Sequence, residues 1–93
     1  MAKPKLTRDQ IETLSNHIVE SPIIADKLEK HEYATLSKAS WNKIFNAISG
    51  SIEYFVAIGD EDSQNWYRDL YGDVEKLMQY YHPTWKSPAT LES

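Results

Sequence analysis

Three histidines, His17, His31 and His82, are the residues best suited to acid–base or metal chemistry. They lie far apart in the chain. No two stand four apart on one helix, and no cysteine exists to complete a zinc set. The run Asp60-Glu61-Asp62-Ser63-Gln64 begins like a calcium loop, but an EF-hand needs glycine sixth and a bidentate glutamate twelfth. Those positions hold Asn65 and Tyr71. Gly50, Gly59 and Gly72 are isolated, so no glycine-rich loop is present to cradle phosphate. Asp69 and Asp73 stand four apart, as paired carboxylates would, yet such a pair on a polar helix face is ordinarily solvated rather than catalytic. The chain is therefore expected to be non-enzymatic, with no cofactor and no metal.

What remains is chemistry of contact. Eleven aromatics are present, and most lie from Tyr54 onward. Tyr and Trp bring large area at low entropic cost and are enriched at interface hot spots. Tyr67, Tyr71 and Met78 fall on the far flank of a helical apolar stripe, and Trp85 is hard to place inside a small core. With Asp69 and Asp73 beside them, these six residues are the expected protein-binding surface. The opposing reading is that Tyr and Trp here are core residues whose polar tips reach water.

The elements that must position these residues are helices. Thr7-Arg8-Asp9-Gln10 fits a capping box, followed by Ile11, Leu14 and Ile18 at helical spacing. Ser21-Pro22 restarts the chain, serine as N-cap and proline in the first turn. A short second helix carries Ile23, Ile24 and Leu28 and ends near Lys30 or His31, and residues His31 to Ser37 read as a connection. From Trp41, the positions Ile44, Phe45, Ile48, Ile52, Phe55 and Val56 share an arc of about 120° on a third helix. Asn42, Lys43, Asn46, Ser49, Gly50 and Glu53 lie opposite, and Gly59 supplies a C-terminal cap. Acids from Asp60 open a fourth helix, in which Trp66, Tyr67, Leu70, Tyr71, Val74, Leu77, Met78 and Tyr81 span about 140°. His82-Pro83 ends it.

No run of alternating β-branched residues exists to build a sheet. The expected fold is all-α, a compact single-domain bundle of about four helices. Residues 7–82 form the domain, 1–6 a flexible N-terminus and 83–93 a mobile tail. With no cysteine, no apolar stretch long enough for a bilayer and no signal-like segment behind Met1, the expected setting is the cytoplasm.

Net charge is −4, but residues 1–43 sum to +1 and residues 44–93 to −5. The expected partner is another protein, bound by an adaptor, inhibitor or regulatory subunit whose acids set partner choice. Self-association through the same flank is a variant. A helix-turn-helix is the alternative. The second helix would then support the third, whose polar face would present Lys38, Asn42, Lys43, Asn46 and Ser49 to DNA, with Lys3, Lys5 and Arg8 on the backbone. The long connection and the overall acidity oppose it.

Overall fold

Thr7 opens the first helix, α1 (Arg8–His17), as its spacing predicts: its hydroxyl accepts from the Gln10 N–H while the Gln10 side chain accepts from the Thr7 N–H. The computed structural model describes residues 4–86. Helix α2 (Pro22–Glu29) follows Ser21, whose side chain makes no capping bond. Its carbonyl instead receives the Ile24 and Ala25 N–H groups, while Lys43 Nζ donates to its hydroxyl. Helix α3 (Lys38–Ile58) starts three residues before Trp41 because the Ser37 hydroxyl caps the Ser40 N–H.

Gly59 ends α3 in the left-handed conformation, φ 75°. Its N–H donates to Val56 O and that of Asp60 to Phe55 O, which is the Schellman pairing. Asp60 is at once the N-cap of α4 (Glu61–Tyr81). Two residues thus join two 21-residue helices into an antiparallel hairpin. Helix α4 runs unbroken through Gly72.

All described α-helices belong to one bundle, with no strand among the described residues. Trp41, Ile44, Phe45, Ile48 and Ile52 of α3 meet Leu70, Val74, Leu77 and Met78 of α4. Ile11, Leu14, Ile18, Ile24 and Leu28 close over them from α1 and α2. Arg8 pairs with Glu29 across α1 and α2.

The core is larger than helical periodicity suggests. The connection between α2 and α3 holds a 3-10 turn at Tyr33–Thr35, and Tyr33 (1% exposed) and Leu36 are buried. Leu6, assigned from the sequence to a flexible leader, is buried too, and its N–H donates to the Tyr33 hydroxyl at 3.2 Å. Trp85 packs against the core rather than hanging from a tail, while residues 87–93 of that tail lie outside the described residues. Ser49, read as part of the exposed polar face of the third helix, is buried instead.

Candidate functional site

Coverage runs out toward the hairpin turn. At 1.5 Å per residue, α3 and α4 are each about 32 Å long, while α1 and α2 reach only about 15 and 12 Å. Helix α1 ends at His17, whose ring reaches α3 at Ser51 and α4 at Tyr67. The buried positions of α3 stop at Ile52, and those of α4 begin at Leu70. Residues 53–69 therefore form an end of the molecule with no enclosed layer of its own.

That end is apolar. Tyr54 is 60% exposed, Val56 51%, Ile58 56% and Trp66 40%. The rings form one run: Tyr54 meets Phe55 edge-on at 5.2 Å, Phe55 stacks on Tyr67 across the helix pair at 5.4 Å, and Tyr67 meets Trp66 at 5.1 Å. Single exposed apolar residues are normal on any protein, whereas these lie together along one ring run.

A groove of about 420 Å³ opens beside this run, lined by His17, Asn46, Ala47, Gly50, Ser51, Tyr54 and Phe55. Small residues at helical spacing make its floor. His17 Nε2 lies 2.9 Å from the Tyr67 hydroxyl and 3.3 Å from Ser51 Oγ. The Ser51 hydroxyl also donates to the Ala47 carbonyl at 3.0 Å, the back-bonding usual for a serine inside a helix. No group of three His, Asp or Glu side chains that could hold a metal occurs among the described residues.

The six residues expected to bind a partner do not form one surface. Tyr67 lies within the ring run, and Asp69 is exposed one turn from Trp66. Tyr71 is half-buried against Phe45, ring centroids 5.0 Å apart. Met78, 2% exposed, is enclosed in the core and cannot meet a partner, because Leu6, Tyr33 and the other buried residues fill the flank that four helices alone would leave open. Asp73 is held by the Gln10 side chain at 2.8 Å. Trp85 stacks on His82, centroids 3.7 Å apart, beyond the C-terminus of α4 and far along the bundle from the hairpin turn.

Helical phase assigns Val56 and Trp66 to the core stripes, yet both are exposed, and it gives Tyr54 and Ile58 no role. Periodicity says which side a residue faces, not whether anything lies there. The available signal was length: two helices of 10 and 8 residues cannot cover two of 21. Of the polar face assigned to DNA, Lys38, Asn42, Lys43 and Asn46 are exposed, but α2 packs chiefly on α1 and the 3-10 turn. No described helix is long and apolar enough to cross a membrane. Comparison with family models, curated proteins and solved structures finds no match to this chain.

Proposed function

We propose that the protein is a non-enzymatic binding module that takes hold of another protein through the uncovered aromatic end of the α3–α4 hairpin. It would serve as an adaptor, inhibitor or regulatory subunit, in a reducing compartment such as the cytoplasm, where a cysteine-free chain is at home. The observation that carries this reading is the run Tyr54, Phe55, Tyr67 and Trp66, standing beyond the last enclosed core layer with Val56 and Ile58 exposed beside it. Rings already held against one another lose little further freedom on binding, which is what makes aromatic anchors effective.

The test is a Tyr54→Ala/Trp66→Ala double variant. Tyr54 is 60% and Trp66 40% exposed and neither belongs to the enclosed core, so the thermal midpoint should stay within about 3 °C of wild type. Used as bait in lysate from the native host, the variant should lose a protein that wild type retains. For a purified partner the affinity should fall by about thirtyfold or more, the effect of removing an aromatic hot spot. Equal retention by the two baits would remove this reading. Retention of salt-sensitive nucleic acid alone would move attention to Lys38, Asn42, Lys43 and Asn46.

A further inference from the structure

The charge at the hairpin end says what kind of partner belongs there. Residues 53–69 carry five acids (Glu53, Asp60, Glu61, Asp62 and Asp69) against Arg68 alone, a net of −4. The whole chain is also −4, so its remaining nine bases and nine acids cancel. All of the net charge therefore falls on the segment that carries the aromatic run. A second copy docked symmetrically by this end would bring −4 against −4, an arrangement that like-charge repulsion opposes. An anionic membrane surface is disfavoured for the same reason.

The groove supplies the shape. Gly50, Ser51 and Tyr54 stand three, four and seven residues after Ala47 along α3, the spacing with which one helix receives the ridge of another. A Cβ placed on Gly50 would meet nothing within 4 Å, so the hollow above it is open rather than filled by a neighbour. His17 closes one side, and Tyr54 and Phe55 lead from the hollow into the ring run.

Together these features commit the surface to one occupant. We infer that the partner presents a cationic amphipathic helix, its apolar ridge seated over Ala47, Gly50 and Ser51 and its Lys or Arg residues facing the acids of residues 53–69. This rests on the protein-binding reading above and adds the chemistry of the ligand.

The probe is a synthetic peptide of about 18 residues, with leucines at i, i+3, i+4 and i+7 and lysines elsewhere, set against a leucine–glutamate peptide of the same pattern. Wild type should bind the lysine peptide in a salt-dependent manner and ignore the glutamate one. Gly50→Leu keeps the charge while filling the hollow, and it should weaken binding at least about tenfold. Because the added side chain points into open space, this variant should fold as well as wild type. Gly50→Ala provides a milder second filling whose thermal midpoint is expected to rise. Glu53→Lys/Asp62→Lys should lower the association rate several-fold and flatten its salt dependence. Equal binding of both peptides, or no effect of Gly50→Leu, would overturn the inference. So would a wild-type dimer that Gly50→Leu dissociates, because the occupant would then be a second copy. If the lysine peptide fails while Tyr54→Ala/Trp66→Ala still loses its lysate partner, the cationic helix is wrong and the binding surface stands.

Discussion

Tyr33 shows how much of this small core depends on one side chain that belongs to no regular helix. Its ring is enclosed and lies 6.0 Å from that of Tyr81, while its hydroxyl accepts the Leu6 N–H and sits 2.5 Å from His31 Nδ1. Burial pushes the phenol pKa up, with the Leu6 N–H pulling the other way and Tyr81 adding least to the rise. The hydroxyl therefore keeps its proton at neutral pH. It also pairs with His31 Nδ1, so one hydroxyl ties both Leu6 and His31 to the enclosed ring. His31 takes a left-handed backbone, φ 55°, to reach this position. Tyr33→Phe keeps the ring and removes only the oxygen, leaving the Leu6 N–H buried without a partner. The expected cost is about 1–3 kcal/mol, most of it the penalty for the orphaned donor. For a domain of this size that lowers the thermal midpoint by at least about 4 °C. A midpoint within about 1 °C of wild type would show that the Leu6 N–H finds water instead, and that residues 4–6 are not part of the packed unit.

At the scale of elements, the two-residue hairpin turn concentrates three jobs in Gly59 and Asp60: stopping α3, reversing the chain and starting α4. The Asp60 carboxylate accepts from the Ser63 N–H at 3.1 Å and from the Ser63 hydroxyl at 2.8 Å. The backbone bond first, and the hydroxyl second, hold its pKa below the usual carboxylate value. A carboxyl whose folded pKa is lowered stabilises the fold fully above its unfolded value, near 3.8, and loses that contribution as pH falls through the folded one. Asp60→Asn keeps an acceptor for the cap but does not titrate. Thermal midpoints from about pH 6 down to about pH 2 should therefore separate wild type from variant at neutral pH and converge in acid. Parallel curves would mean the cap does not depend on charge. Capping of this sort is local chemistry, which is why the starts of α1 and α4 and the end of α3 were legible in residues such as Thr7, Gly59 and Asp60. Tyr33 and Leu36 were not legible, because a single 3-10 turn has no period to detect. Trp66 was misplaced in the interior for a different reason. Its phase on α4 is that of Leu70 and Leu77, but a helix face is covered only where a neighbour extends that far, and that is a property of the whole assembly.

The molecule as a whole is a hairpin of two long helices braced at one end by two short ones. Along its 36 Å length the bracing is uneven. The braced end contains every enclosed side chain, from Leu6 and Ile11 to Met78. The free end is held by the turn, by the Phe55–Tyr67 stack and by the His17–Tyr67 hydrogen bond. Local opening free energies follow buried apolar contact, so residues 53–69 should open without unfolding the rest. Native-state hydrogen exchange should find amides of Ile44–Ile52 and Leu70–Met78 protected up to the global stability, and those of Tyr54–Ile58 and Asn65–Arg68 protected by several-fold to a hundredfold less. Uniform protection along both helices would mean that the hairpin is rigid on its own. Apolar periodicity alone does not disclose this gradient, because the stripes of α3 and α4 continue in phase to Val56 and back to Trp66 as though the core did too; only the unequal helix lengths point to it. The proposed binding function makes a further demand: a bound partner should raise protection selectively in residues 53–69, and Tyr54→Ala/Trp66→Ala should abolish that rise while leaving the braced end unchanged. A partner that instead slowed exchange in α1 and α2 would place the binding surface at the braced end.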